Sequence, residues 1–219
     1  VLFNLVPLVI YLLLLARLIE RFGATDWGRM FVMAAAAFGT FLTTFAVTIN
    51  NHVPAAVCAT AAVYAAVRVW FDDERRLRYY VLSGLFGALA AVNEFPAVAL
   101  LAVLAIVLLW KAPRPTLLGF APAALLVAVA FFSTNWIAHR TLEPAYLHRG
   151  GADNWYDYTY ERNGRQVESY WRNPVGVDRG EPSRSVYAVN VLVGHHGVFS
   201  LTPVWLLAFV GMAVWMWRG

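Results

Sequence analysis

Charged residues are scarce in this chain of 219 residues. Asp, Glu, Lys and Arg make up only 14% of the sequence, whereas 60% of the residues are hydrophobic and the mean hydropathy is +0.58. A water-soluble domain of this length needs a more polar surface, so the composition excludes an ordinary soluble fold. Apolar runs of about the length of a membrane helix recur along the chain, and they predict an integral membrane protein.

Cysteine and familiar catalytic signatures are equally scarce. A single cysteine, Cys58, excludes an internal disulfide and leaves the compartment open. The sequence has no nucleophile elbow, no phosphate-binding loop, no His-Glu-x-x-His and no dinucleotide fingerprint. No apolar run carries the regularly spaced charges of a voltage sensor or proton relay, which argues against a channel or pump. The net charge of +4 resides in short loops beside apolar runs and does not indicate nucleic-acid binding.

Six or seven apolar helices are predicted, two of them short, and they define an all-α polytopic transmembrane bundle. Residues 1–138 form the bundle, residues 139–200 an extracytoplasmic loop with a short interfacial helix, and residues 201–219 a final transmembrane helix. The predicted apolar helices cover residues 2–19, 30–49, 54–70, 79–92, 96–110, 117–138 and 203–217. Because Val1 and Gly219 adjoin apolar runs, we expect a piece of a longer protein.

The basic loops predict how these helices are oriented. Basic residues cluster at residues 17–29, 68–78 and 111–114 and at Arg218, and these four places share one side of the membrane if successive helices alternate. The positive-inside rule makes that side cytoplasmic, and we expect an integral protein of a bacterial inner membrane. The alternative is that residues 79–110 cross once as one long helix, which would invert everything downstream.

Polar turns on the opposite, extracytoplasmic side supply the first candidate site residues. Glu94 follows Asn93 between two short apolar helices, and an ionisable group at membrane depth favours a cavity or a partner. Asn50, Asn51 and His52 lie between two other helices. Asparagine is well suited to capping a helix, whereas histidine is not. A solvated turn at Glu94 and helix capping by the Asn50-Asn51-His52 turn are the structural alternatives.

A third turn places His195 and His196 between two glycines. Imidazole binds metals and also hydrogen-bonds phosphates and sugar hydroxyls, but adjacent histidines point in different directions on most backbones. We therefore predict no resident cofactor, with a divalent metal as the lesser alternative. Arg179 belongs to a polar segment rich in Arg, Trp and Tyr, in which Arg can pair with phosphate and aromatic faces can stack on sugars. The alternative is a lid that packs on the membrane surface.

The order of several segments resembles part of a known enzyme superfamily. The run Asn51-His52-Val53-Pro54-Ala55-Ala56 begins an Ala-rich helix, a basic turn follows at residues 73–78, and a Gly-rich helix then ends in Asn93-Glu94-Phe95-Pro96. This order resembles the GT-C membrane glycosyltransferases, in particular protein-mannosyltransferase-like enzymes that use polyprenyl-phosphate sugars. The resemblance covers most of residues 1–138, by pattern more than by fixed motif.

The resemblance implies a hexosyltransferase that moves a sugar from a polyprenyl-phosphate carrier to an extracytoplasmic acceptor. Its partners would be the lipid-linked donor and membrane lipids, with no nucleic acid and with the oligomeric state left open. In that family the catalytic acid lies in the first outer loop, which implies a position upstream of Val1 and assigns no catalytic residue here. The resemblance implies that substrate is bound by Asn51, His52, Glu94 and the loop arginines. A transporter or flippase-like protein and a non-catalytic membrane scaffold are the alternatives.

Overall fold

Helices dominate the structure, a computed structural model that describes residues 2–149, 153–194 and 197–218, without the side chains of residues 177 and 218. The α-helices are α1 Leu5–Phe22, α2 Asp26–Phe38, α3 Leu42–Phe45, α4 His52–Phe71, α5 Leu77–Asn93, α6 Ala97–Lys111, α7 Pro113–Pro115, α8 Ala121–His139, α9 Arg184–Leu192, α10 Val198–Leu201 and α11 Val204–Arg218. A π-helical segment, Thr116–Phe120, joins α7 to α8. Short 3₁₀ turns cover Ala145–His148, Tyr170–Arg172 and Gly176–Arg179.

Three helical stretches are long and apolar enough to cross a membrane: Asp26–Phe45, His52–Phe71 and Pro113–His139. Two shorter apolar helices cover Ala97–Lys111 and Val204–Trp217. The prediction of a mostly helical chain with helices long and apolar enough to span a membrane is thus confirmed. The expected total of six or seven membrane crossings stays a prediction.

The predicted helix over residues 30–49 is interrupted. Helix α2 ends before Gly39, and the Thr40 hydroxyl donates to the Ala36 carbonyl at 3.1 Å before α3 begins. Glycine lowers helix stability, and a threonine that bonds the preceding turn bends a helix. Asn4, at the start of α1, then fixes the chain after α3 by donating to the carbonyls of Ala46 at 2.9 Å and Thr48 at 2.6 Å.

The chain divides into two compact units, residues Val1–Thr134 and Asn135–Gly219. The first unit is built around α4 and α5, which pack against each other and against α6, and α5 also packs against the π-helical segment. Small residues line these helices, and membrane helices approach each other closely where side chains are small. The core consists of Ala62, Ala66, Val69, Tyr80, Leu104, Leu108, Ala112 and Phe120.

Gly84 permits the closest approach in this core. A Cβ atom on Gly84 would lie 2.8 Å from the Cα of Phe120, a distance that real Cβ atoms essentially never show. Gly119 faces α5 in the same way, since its Cβ would lie 2.9 Å from Leu77 Cδ1 and 3.0 Å from Tyr80 Cβ. Backbone-to-backbone contact therefore positions α5 against the π-helical segment. The sequence had indicated close packing at Ser83 and Gly87, and both residues are buried.

Helices α4, α5 and α6 alternate in direction, so their ends gather at two ends of the first unit. At one end, which we call the charged end, Arg21 and Arg68 contact Asp72, and Lys111 lies 3.3 Å from Asp73. At the other, the polar end, the start of α4 meets the end of α5. Residues 79–110 therefore form an antiparallel helix pair, and the alternative of one long helix is wrong.

The second unit contains a β-hairpin that had been expected to be irregular loop. Strand β1, Thr159–Arg162, pairs antiparallel with β2, Arg165–Glu168. The connecting residues Asn163 and Gly164 have φ angles of 53° and 74°. Asn-Gly between strands is the strongest short-range hairpin signal, because both residues tolerate positive φ. This signal was present in the sequence and was missed.

Candidate functional site

The polar end brings together two turns that are 42 residues apart in the sequence. His52 is the first residue of α4, and Glu94 directly follows the last residue of α5. Because α4 and α5 are antiparallel neighbours, these helix ends lie side by side. The His52 Nδ1 atom contacts the Glu94 Oε1 atom. The two turns, which the sequence places on the same side of the membrane by prediction only, are thus in direct side-chain contact.

The side chain of Asn50 caps the start of α4. Its Oδ1 atom accepts from the backbone N–H groups of His52 at 2.9 Å and Val53 at 3.4 Å. Its amide donates to the carbonyls of Phe45 at 2.6 Å and Thr48 at 2.9 Å. An oxygen that accepts from the first free N–H groups of a helix is a capping group. The capping alternative thus describes Asn50 and leaves Asn51 and His52 to point elsewhere.

Asn51 ties the two turns together. Its side-chain nitrogen donates to the Asn93 carbonyl at 2.6 Å and to Glu94 Oε1 at 2.8 Å. Asn93 contributes only its backbone, because its own amide donates to the Leu89 carbonyl at 2.8 Å within α5. Of the predicted site residues at this end, Asn51, His52 and Glu94 therefore share one hydrogen-bonded cluster through their side chains.

The cluster is partly open. The His52 side chain is 43% exposed and that of Glu94 is 29% exposed. The Phe45 ring lies against the imidazole with ring centroids 4.2 Å apart. When the imidazole is neutral and its Nδ1–H group donates to the carboxylate, Nε2 carries a lone pair that can accept a hydrogen bond. Such an arrangement fixes both the tautomer and the orientation of the histidine.

The remaining predicted site residues belong to the second unit. Arg179 ends the short turn Gly176–Arg179 and is exposed. His195 and His196 lie outside the described residues, although Ser200 donates to the carbonyl of the preceding Gly194 at 2.6 Å. The assignment of Arg179, His195 and His196 to substrate binding stays a prediction. Within the described ranges, no group of three His, Cys, Asp or Glu side chains could hold a metal ion.

Aromatic side chains of the second unit are engaged with neighbouring residues of the same unit. The Trp155 ring is stacked on His148, with centroids 3.8 Å apart and parallel planes, and His139 lies against it at 4.9 Å. The Arg149 guanidinium lies 4.1 Å from the centroid of Trp171. These contacts stabilise the segment internally and occupy ring faces that had been considered for stacking on a sugar.

The charged end has a different electrostatic character. The Arg76 guanidinium hydrogen-bonds the Glu74 carboxylate and lowers the pKa of that carboxyl to about 2. Arg75 and then Lys111 lower the pKa of Asp73 in the same way. Opposite charges at hydrogen-bonding distance favour the ionised form of a carboxyl group. Each of the acids Asp72, Asp73 and Glu74 in this loop thus has a basic partner.

Comparison with protein-family models, with curated proteins and with solved structures finds no match to this chain.

Proposed function

We propose that this chain is part of an integral-membrane glycosyltransferase that takes a sugar from a polyprenyl-phosphate carrier. The donor is bound at the polar end, which faces the extracytoplasmic side, and the charged end faces the cytoplasm. The segment order that resembles the GT-C enzymes suggested this function. The observation that carries the proposal is the cluster of Asn51, His52 and Glu94, in which two turns far apart in the sequence meet through polar side chains.

Glu94 organises this cluster. Its Oε1 atom accepts from Asn51 and contacts His52, so one carboxylate holds two side chains from the start of α4. An ionisable residue at the end of an apolar helix pair is costly unless a partner or function retains it. Capping alone does not require this arrangement, because Asn50 already caps α4.

His52 is the group that meets the substrate. Its Nδ1 atom is occupied by Glu94, and its half-exposed ring leaves Nε2 to accept a hydrogen bond from a hydroxyl group of the bound sugar. Asn51 and Glu94 position the ring and do not touch the sugar. Deprotonation of the acceptor hydroxyl needs a separate base. The cluster therefore contributes recognition and orientation of the donor.

The distribution of charge supports this orientation. The basic residues at the charged end, including Arg68, Arg76 and Lys111, are of the kind that the positive-inside rule assigns to the cytoplasm. The polar end has no Lys or Arg among the residues of its two turns, 50–52 and 93–96. A neutral sugar with many hydroxyl groups suits an acceptor nitrogen and amide groups better than a cluster of cations.

The test is transfer of a radiolabelled sugar from a polyprenyl-phosphate donor in membranes that contain the intact protein. His52→Ala should lower kcat/KM by about 10–100-fold, since a buried substrate hydroxyl loses its partner. Glu94→Gln keeps an acceptor oxygen for the ring and should lower kcat/KM by roughly threefold to tenfold. Asn50→Ser, which retains a capping oxygen, is the matched control and should leave kcat/KM near that of the wild type.

Membrane insertion of each variant is measured in parallel. Wild-type rates for both His52→Ala and Glu94→Gln would remove these residues from the substrate site. Absence of transfer with every polyprenyl-phosphate sugar, together with uptake of a solute by reconstituted vesicles, would contradict the proposed function and favour a transporter.

A further inference from the structure

The β-hairpin of the second unit carries different side chains on its two faces. Tyr160 pairs with Val167 and Arg162 pairs with Arg165, so these four side chains share one face. Tyr158 continues this face, because its carbonyl accepts from the Ser169 N–H group at 2.8 Å and its ring centroid lies 6.1 Å from that of Tyr160. We call this the tyrosine–arginine face.

The opposite face of the hairpin is acidic. It carries Thr159 opposite Glu168 and Glu161 opposite Gln166. Glu168 is bound by Arg172, with the Arg172 Nη1 atom 2.9 Å from Glu168 Oε1. The hairpin thus separates its charges completely: both of its arginines lie on one face and both of its glutamates lie on the other.

Arg162 and Arg165 are a like-charge pair. They lie directly opposite each other beside the Asn163-Gly164 turn. Neither forms an ion pair with another residue in the described part of the chain. Like charges directly opposite on neighbouring strands repel and weaken a hairpin. An anion bound between the two guanidinium groups would remove that repulsion.

The tyrosines on the same face indicate the environment in which the anion is bound. Tyr158 is 51% exposed and Tyr160 is 42% exposed. A tyrosine combines an apolar ring with a polar hydroxyl, and such residues concentrate at the boundary between lipid tails and headgroups. Guanidinium groups bind phosphate at the same depth. The same chain has helices long and apolar enough to cross a membrane, which makes a bilayer the anionic partner that we consider for this face.

From this arrangement we propose that the tyrosine–arginine face docks on the surface of a bilayer that contains anionic phospholipids. Arg162 and Arg165 bind headgroup phosphates, and the rings of Tyr158 and Tyr160 enter the interfacial layer. The acidic face stays in water. This proposal is independent of sugar transfer, because it concerns the bilayer surface and leaves the polar end aside.

The test compares one label on each face. In a Cys58→Ala background, Val167→Cys labels the tyrosine–arginine face and Gln166→Cys labels the acidic face. The protein is reconstituted into vesicles of phosphatidylcholine, alone or mixed with phosphatidylglycerol, with a quencher attached to the lipid headgroups. The fluorescence of the Val167 label should be quenched strongly in the anionic vesicles, and that of the Gln166 label only weakly.

The arginines should control this docking. Each contributes about a fivefold preference for the anionic surface, so Arg162→Gln with Arg165→Gln should reduce the docked-to-undocked ratio by roughly 30-fold. Salt at 1 M, where the Debye length falls to about 3 Å, should act in the same direction. Arg184→Gln, which removes an exposed arginine outside the hairpin, is the matched control and should change nothing.

Three results would overturn the proposal. Equal quenching of the Val167 and Gln166 labels would mean that the hairpin has no preferred face. Quenching that changes neither with phosphatidylglycerol nor with the arginine substitutions would mean that the two arginines do not recognise headgroup phosphate. Full docking in phosphatidylcholine vesicles on addition of a trace of polyprenyl phosphate would assign the arginines to a carrier lipid instead. Sugar transfer can persist or fail in each case, so the two proposals are tested separately.

Discussion

The charged end and the polar end of the first unit both carry ionisable residues, but they arrange them differently. At the charged end every acid of the loop after α4 has an arginine or lysine partner. At the polar end one glutamate holds one histidine and one asparagine. Paired charges of the first kind stabilise a loop, whereas the second arrangement leaves an oriented nitrogen for another molecule.

Gly84→Ala should have the largest effect, because α5 runs from one end to the other and the new methyl group would meet the backbone of Phe120. Overpacking against a backbone that cannot move aside should lower the free energy of unfolding by about 3 kcal/mol. Thermal unfolding in detergent measures this loss. The variant should disturb the ion pairs of the charged end and the cluster of the polar end together.

The control for that variant is Gly87→Ala in the same helix. Its Cβ would lie 3.1 Å from Leu101 Cδ1, the end of a flexible side chain that can shift. Its cost should stay below about 1 kcal/mol. An equal loss in the two variants would mean that the contact between Gly84 and Phe120 does not position α5.

The next largest effect is expected for substitutions of His52 and Glu94 at the polar end, which a double-mutant cycle compares. His52→Ala alone should lower kcat/KM for sugar transfer by about 10–100-fold. Adding Glu94→Gln should cause little further loss, because Glu94 acts through the ring that is already absent. Steady-state kinetics of the four proteins measure the coupling. Multiplication of the two single effects would show that Glu94 acts independently of His52.

Asp72→Asn should affect only stability. Asp72 contacts both Arg21 and Arg68, and the side-chain exposures of the three residues are 18%, 34% and 35%. Removal of the shared carboxylate should lower the free energy of unfolding by about 1–2 kcal/mol, a value discounted for the exposure of the arginines. Thermal unfolding and sugar transfer are compared in the same preparation. A loss of sugar transfer without a loss of stability would contradict the distinction between a charged end that stabilises the fold and a polar end that binds the substrate.

The smallest effect on the stability of the folded state is expected from the titration of Glu74. Its pKa is lowered from 4.5 to about 2 by Arg76, so the pair is more favourable in the folded state while the carboxylate is ionised. Its contribution is complete above pH 4.5 and is lost as the pH falls towards 2. Carbon NMR of labelled glutamate follows the midpoint, and Arg76→Gln should move it towards 4.5. A midpoint near 4.5 in the unmodified protein would contradict the ion pair.

Much of the helical framework could be predicted because its signals are local. Apolar runs separated by basic or polar turns predicted the helices found at His52–Phe71, Leu77–Asn93 and Ala97–Lys111, with ends displaced by a few residues. The break at Gly39 was missed because a single glycine within a long, mostly apolar run is compatible with a continuous helix. The hairpin at residues 159–168 was missed although Asn163-Gly164 is a local signal. The number of membrane crossings and the side that each end faces remain predictions.

Three of the predicted site residues form one cluster, but their contacts could not be predicted from the sequence. The amino-acid order alone showed that Asn51, His52 and Glu94 are polar residues at the ends of apolar helices. It could not distinguish Asn50, which caps α4, from Asn51, which reaches α5, because both are asparagines at neighbouring positions. The tertiary structure decided this, since the antiparallel packing of α4 and α5 across small side chains brings residues 52 and 94 into contact.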